Sequence, residues 1–414
     1  MKSIISLIFL ILLIITAFSG CTQSGETAGV QNAGENIEVK EESYRIVTDS
    51  RGVEVEIPVN IERVATVSDG LVEEVMYILG VDDKIVAIGS KGLLSGAIKA
   101  SVYSLDDGTN VTTPGGNNVA TVLSPQISDL PIFIDYGVAM NYETLAAADP
   151  EIVIIRLGSS AFLSCEDENA KKSIERIESL GIPVVVLYSP NCYEKSDPTA
   201  ISDEIKIIGQ VFGEEEKAEE IGAELESMKE SIRERTAQIS EDEKEDVLLF
   251  GLSPMHRTET AAGIAWGLGT TESYMIEDLL NARNAYRSDT GSFQVVSTEQ
   301  VLSMDPDVIL LGTASGYHPP GELYDASYYK NLRELTAVKE HRVASLPYSP
   351  RNAARRLEYP IDLMVTAKTV YPDLFEDIDL GEWLLEFYQE IYGVDSGKAA
   401  ELRSAQLMDW CVEQ

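Results

Sequence analysis

Asn141-Tyr-Glu-Thr-Leu-Ala-Ala-Ala-Asp-Pro-Glu-Ile-Val-Ile-Ile155 and Ser297-Thr-Glu-Gln-Val-Leu-Ser-Met-Asp-Pro-Asp-Val-Ile-Leu-Leu311 overlay without a gap. The overlay sets Glu143 on Glu299 and Asp149-Pro150 on Asp305-Pro306. Asn141 or Ser297 supplies a side-chain oxygen that caps a helix start, and Glu143 or Glu299 falls in the first turn, where the helix dipole favours a carboxylate. A short amphipathic helix follows. The Asp before proline ends it, because that position is steered out of the α region. The apolar runs that come next are unbroken, as in a parallel strand covered on both faces. The two copies lie much further apart than the roughly 20–50 residues of a solenoid repeat, so they predict two related α/β lobes.

Further strands fit this frame. Arg63–Val67, Lys84–Ile88, Ile152–Ile155 and Val184–Leu187 fall in the first lobe, and Val247–Phe250, Val308–Leu311 and Val343–Leu346 in the second. Helical patterns separate them, which predicts parallel sheets built from βαβ units. Between the lobes, from Glu214 to Ile239, Ala218, Ile221, Leu225, Met228 and Ile232 recur at spacings of three and four. That is one amphipathic helix of about 40 Å, read as a stiff connector. The expected organisation is a signal peptide over 1–20, a tether over 21–43, a first lobe over 44–213, the connector over 214–239 and a second lobe over 245–414.

A chain of 414 residues exceeds one ordinary core. Its 69 acidic against 32 basic residues give a formal net charge of −37. That excludes nucleic acid and anionic lipid surfaces as partners, since phosphate binding needs a basic face. An anionic ligand would have to be drawn by a few local Arg or Lys residues against the overall field. At the N-terminus, Lys2 precedes an apolar stretch from Ile4 to Phe18, shorter than the ~20 residues of a bilayer span and shaped like a signal peptide. Phe18-Ser-Gly-Cys21 resembles a lipoprotein signal box, which would leave a lipid on Cys21. Thr22 to Glu42 is polar and aperiodic, a flexible tether. Cys165 and Cys192 each follow a predicted strand by a few residues, and parallel strands would bring both to one sheet edge. That allows a disulfide outside the cell, with two free thiols as the alternative. No Cys or His spacing marks a zinc or iron–sulfur site, and three histidines are few for bare-metal capture.

With these residues in hand, the chain resembles the periplasmic-binding-protein family that serves iron–siderophore, haem and cobalamin ABC importers. The resemblance runs from Tyr44 to Gly393. It opens with Thr48-Asp-Ser-Arg-Gly52 and Pro58, continues through Arg63-Val64, Glu74-Val-Met-Tyr-Ile-Leu-Gly80 and the paired Glu, Asp-Pro and strand units, and closes with Tyr359-Pro, Tyr371-Pro372, Phe387-Tyr388 and Tyr392-Gly393. It implies two Rossmann-like lobes bridged by one long helix, a ligand between them, and no enzymatic activity or cofactor. It also implies that Glu143 and Glu299 dock on arginines of a dimeric permease with its ATPase subunits. The expected ligand is a small-molecule metal chelate of the ferric-siderophore kind, with a corrinoid or haem as the alternative. The expected protein is a lipid-anchored monomer outside the cytoplasm. One departure is the long stretch Gly89 to Leu130, which family members cross with less chain. Within it, Asp107-Gly108 has the form of a hairpin turn and Asn110-Val-Thr112 that of a glycosylation sequon.

In open parallel sheets ligands sit beyond the carboxyl ends of the strands. That rule selects Ser68, Asp69, Ser90, Lys91, Arg156, Ser159, Tyr188 and Ser189 from the first lobe. From the second it selects His256, Arg257, Trp266, Tyr317, His318, Arg351, Arg355 and Arg356. Arg and Lys would neutralise an anionic chelate, and aromatics would cover its apolar rim. The rival readings are a secreted enzyme or a surface sensor reusing the fold. The enzyme reading lacks a nucleophile elbow, a Walker loop, an H-E-x-x-H and a glycine fingerprint.

Overall fold

The computed structural model describes residues 43–90, 93, 101–134, 139–159, 161–290, 292–349 and 355–412. Cys21, Lys91 and Arg351 lie outside them. The Thr-Asp-x-x-Gly stretch turns an antiparallel hairpin, β1 (Tyr44–Thr48) and β2 (Glu54–Pro58). Asp49 makes the turn: Oδ1 accepts from the amides of Arg51 (2.9 Å) and Val53 (3.3 Å), while Gly52 takes φ 72°. Its Oδ2 accepts from the Val186 amide at 3.0 Å, which fastens the hairpin to the first sheet.

That sheet is built from β3 (Val64–Val67), β4 (Ile85–Ile88), β7 (Ile152–Leu157) and β8 (Val184–Tyr188), all parallel in the order β4-β3-β7-β8. Between β3 and β4 lies α1 (Leu71–Leu79). Between β4 and β7 come a second hairpin, β5 (Ser101–Ser104) and β6 (Asn110–Thr113), then α2 (Val119–Leu123) and α3 (Tyr142–Ala148). The hairpin turns at Asp107-Gly108, as the composition suggested, with Gly108 at φ 85°. α4 (Glu168–Glu178) precedes β8, and α5 (Ala200–Phe212) leads to the connector. The connector α6 (Glu215–Thr236) has 22 residues, or about 33 Å. It buries Ala218, Ile221, Leu225 and Ile232 along one stripe.

The second sheet contains β9 (Asp246–Gly251), β10 (Ala261–Trp266), the short β11 (Arg283–Asn284), β12 (Phe293–Ser297), β13 (Val308–Leu311) and β14 (Val343–Ser345), ordered β12-β10-β9-β13-β14 with β11 on β9. The short helices are α7 (Thr271–Tyr274), α8 (Thr298–Met304), α9 (Pro320–Asp325) and α10 (Thr336–Lys339). The longer α11 (Tyr359–Val370), α12 (Leu380–Tyr392) and α13 (Ser396–Ala405) close the chain. The three strands expected here, β9, β13 and β14, are parallel, and the sheet adds β10, a strand that the sequence pattern does not mark and that runs antiparallel to both β9 and β12. The cause is the short link from Gly251 to Ala261. A parallel return needs a crossover of a dozen residues or more, whereas an antiparallel one needs a few.

The repeat holds in three dimensions. β7 sits between β3 and β8, and β13 between β9 and β14. α3 and α8 both start at a capping side chain, Asn141 or Ser297, and both end at an Asp in the left-handed region, Asp149 (φ 50°) and Asp305 (φ 37°). Side chains alternate across the second sheet. Val247, Leu249, Val308 and Leu310 join one core, and Leu248, Phe250, Ile309 and Leu311 another. The first of these cores continues through α6, α1 and α5 to the first sheet. The C-terminal helices take part in it: α12 packs on α1 and α13 on α2, so the stretch after residue 245 is not confined to the second sheet.

Candidate functional site

The strand ends of the first sheet are rich in small hydroxyl residues that are already engaged. Ser68 Oγ accepts from the amides of Gly70 and Val72, Ser159 Oγ donates to the Arg156 carbonyl (2.7 Å), and Ser189 Oγ donates to the Gly158 carbonyl (3.1 Å). Gly158 is required where it stands. Its φ is 73°, and a Cβ there would collide with Ser189 Oγ. Tyr188 ends β8 partly exposed, edge-on to Tyr193 with ring centroids 6.4 Å apart.

The arginines divide. Arg156 is fully buried and forks onto Glu204 of α5, Nε to Oε2 at 2.6 Å and Nη2 to Oε1 at 2.7 Å. Arg356 is buried against Glu74, Glu358 and the Asn118 side chain. Burial pushes the Glu74 carboxyl up to about 8, Arg356 pulling the other way and Glu358 adding repulsion. Arg257 lies over the Tyr328 ring, 4.0 Å from its centroid, and donates to Glu322 (3.3 Å). His318 is buried with both nitrogens on acceptors, Nδ1 at 2.7 Å from Glu322 Oε2 and Nε2 at 3.0 Å from the Ala314 carbonyl. Tyr317 is buried, which raises its phenol to about 12. The structure thus places Arg156, Arg257 and His318 in internal networks that hold the lobes' own elements.

Arg355 differs. It reaches from the loop before α11 to the strand ends of the first sheet, where Nη1 donates to the Gly158 carbonyl at 3.4 Å. The amide orientation that satisfies Asn191 turns its oxygen toward Arg355 (Nη2 at 2.9 Å) and its nitrogen toward the Thr271 hydroxyl (3.0 Å). Two more contacts join the lobes nearby: Tyr274 donates to Asp197 (2.8 Å) and Ser196 to the Gly269 carbonyl (3.5 Å). Beside them Glu272 is buried with neither carboxylate oxygen hydrogen-bonded, and burial raises its carboxyl despite Arg355.

On the second lobe, His256 faces the edge of Phe293 (5.7 Å), and Phe293 faces Trp266 (6.3 Å). His256 Nδ1 lies 3.1 Å from Ser253 Oγ, which in turn meets Ser315 Oγ at 3.1 Å. Because β10 is reversed, Trp266 leaves the strand end toward the sheet's middle, and its ring reaches back to Gly312. The structure therefore gathers Arg355 and Tyr188 on one side, with His256 and Trp266 as a separate aromatic row. Sequence reasoning missed Asn191, Thr271 and Phe293. Asn191 lies three residues past β8, so a wider window at the strand ends would have found it. Phe293 opens a strand that had not been recognised.

Among the described residues no group of three or more His, Cys, Asp or Glu is placed to hold a metal ion, and no helix is long and apolar enough to cross a membrane. Cys165 and Cys192 are joined in a disulfide with Cα atoms 5.5 Å apart, and Cys411 is free. Glu143 and Glu299 are exposed. Both lie on the carboxyl-end side of their sheets. The Asn141 amide donates to the Phe133 carbonyl just beyond β4, and the Thr298 amide donates to the Thr260 carbonyl beyond the end of β9. They therefore share the carboxyl-end side of the sheets with the residues that the strand-end rule selects.

A family model for periplasmic binding proteins matches residues 69–350. The chain belongs to the periplasmic binding protein family. It is a substrate-binding protein of an ABC transporter, with the two-lobed fold of that family. The molybdate-binding protein MolA of Haemophilus influenzae is 24% identical to this periplasmic binding protein over 290 residues, 65% of this chain and 74% of that one. An uncharacterized ABC transporter substrate-binding lipoprotein of Bacillus subtilis, YvrC, is 24% identical over 240 residues, 58% of this chain and 67% of that one. Among solved structures, a periplasmic solute binding protein from Veillonella parvula superposes with a TM-score of 0.66 at 21% identity, covering 88% of this chain and 99% of that one. MolA with molybdate superposes at 0.63 and 20% identity, covering 85% and 98%.

Proposed function

We propose that this substrate-binding protein captures a small anionic metal complex between its lobes, a chelate of the ferric-siderophore kind or a metal oxyanion, and hands it to a permease dimer. The supporting observation is Arg355. It carries a guanidinium from the second lobe to the Gly158 and Asn191 end of the first, where a carbonyl and a side-chain amide oxygen are neutral acceptors that a bound anion would replace. Burial raises the neighbouring Glu272 carboxyl, with Arg355 pulling the other way. The molybdate named in MolA's description is an anion of this class. In the same reading the protein is a monomer held outside the cytoplasm by lipid on Cys21, the lobes and connector divide as the sequence suggested apart from the β5–β6 hairpin and the last two helices, Glu143 and Glu299 meet the permease, and the role is binding rather than catalysis.

Calorimetric titration with molybdate, a ferric hydroxamate chelate, haem and cobalamin tests this. One of the anionic complexes should bind. Arg355→Ala should weaken it by about tenfold or more, and added salt should weaken it further. Tight binding of haem or cobalamin alone, unchanged by Arg355→Ala, would refute the anion reading. It would favour the second one, a planar macrocycle on the exposed Phe293 and its neighbours His256 and Trp266.

A further inference from the structure

The hairpin β5–β6 belongs by chain order to the first lobe but is built into the second. Tyr103 is 7% exposed and shares a core with Leu248, Phe250, Ile309 and Leu311 of the second sheet, with Leu105 and Val111 packed alongside. Leu105 pairs as an antiparallel bridge with Ala326, and Asp106 forms an ion pair with Arg333 at 2.8 Å. The chain then returns. Gly116 lies against the Tyr348 ring, where any Cβ would collide, and the Asn117 amide donates to the Ala405 carbonyl (2.8 Å). Asn118 caps α2 and donates to the Asp69 carbonyl (3.1 Å), regaining the first lobe.

The side on which this happens matters. The second sheet turns Val247, Leu249, Val308 and Leu310 toward the core that contains α6 and α11, and turns the alternate residues toward Tyr103. The connector and the hairpin therefore grip opposite faces of that sheet. Two lobes hinged beside α6 would part on the face away from it, which is the face the hairpin spans. We propose that residues 101–118 form a strap that sets the width of the cleft from the side opposite the connecting helix. The exposed Asp106–Arg333 pair adds little by itself, and the buried Tyr103 ring is the anchor.

The test reads lobe separation directly. In the full mature chain, Lys172 in α4 and Glu340 after α10, both exposed, are replaced by a ketone-bearing amino acid and spin-labelled. Distances are then measured by pulsed electron resonance. The parent should give one narrow distribution, and Tyr103→Ala with Asp106→Ala should add a longer-distance population. Leu105→Cys with Ala326→Cys supplies a lock, since opposed residues of an antiparallel bridge have Cα atoms within about 4.5–5.5 Å, inside disulfide range. Oxidising that pair in the released variant should remove the longer population, and reduction should restore it. Should Tyr103→Ala not fold, Tyr103→Leu with Asp106→Ala is measured in the same way. A released variant that melts cooperatively with the parent's distribution overturns the proposal. So does a longer population that survives the oxidised lock.

Discussion

Glu204→Leu is the sharpest probe of how the arginines are used. The Arg156–Glu204 pair has both side chains about 1% exposed, with two short charge-assisted bonds of 2.6 and 2.7 Å. Removing only the carboxylate leaves a guanidinium buried without its partner, which costs about 3–5 kcal/mol. Replacing both, as Arg156→Met with Glu204→Leu, exchanges the pair for apolar volume and should return to within about 1–2 kcal/mol of the parent. With a urea m-value of about 3 kcal/mol/M or more for a chain of this size, the single variant should unfold about 1 M earlier and the double variant close to the parent midpoint. Ligand titration on the double variant completes the cycle and should match the parent. A Glu204→Leu cost below about 1 kcal/mol would show that the pair is not closed off from water. A stable double variant that has lost its ligand would return Arg156 to the cleft.

The buried Glu74 makes stability pH-dependent with a definite sign. Its folded value of about 8 lies above the ordinary 4.5, so the folded state keeps the proton longer, and stability should fall as pH rises from about 4.5 to 8. Denaturation midpoints across that range should show the slope, and Glu74→Gln should flatten it; an equal slope in the variant would count against Glu74 as its source. Glu143→Ala with Glu299→Ala should keep ligand affinity while abolishing transport, measured by uptake and by ATPase stimulation. Loss of ligand binding instead would place both residues in the cleft. Mass spectrometry of the native N-terminus should find a lipid-modified Cys21, and an unmodified Met1 would contradict the anchor.

The repeat made the two inner strands legible because Asp-Pro and an unbroken apolar run carry their meaning locally. The connector was legible because α6 keeps one apolar stripe over six turns. The strand β10 was not: Ala-Ala-Gly-Ile-Ala-Trp, residues 261–266, is rich in small residues and holds one β-branched side chain, so it gives little strand signal. The partners of the arginines were not legible either. Arg156 and Arg356 stand at the predicted strand ends or loops, but their partners Glu204 and Glu74 lie 48 and 282 residues away in sequence. A charged residue chosen for the cleft looks the same in sequence as one that neutralises a buried acid. Arg355 and Arg356 are adjacent in the chain, yet one reaches the other lobe's strand ends and the other is sealed inside.

The core that runs unbroken from the first sheet through the connecting helix to the second has a consequence for how such a molecule is inherited and made. A duplicated lobe would ordinarily be free to drift apart from its twin, to be swapped, lost or expressed alone. Here the two halves share one core, and the last two helices, α12 and α13, pack on α1 and α2 of the first lobe. During synthesis α1 and α2 emerge long before α12 and α13, the helices that pack on them. A shared core of this kind predicts that loosening one lobe weakens the other, so that the two behave as mechanical halves rather than separable modules.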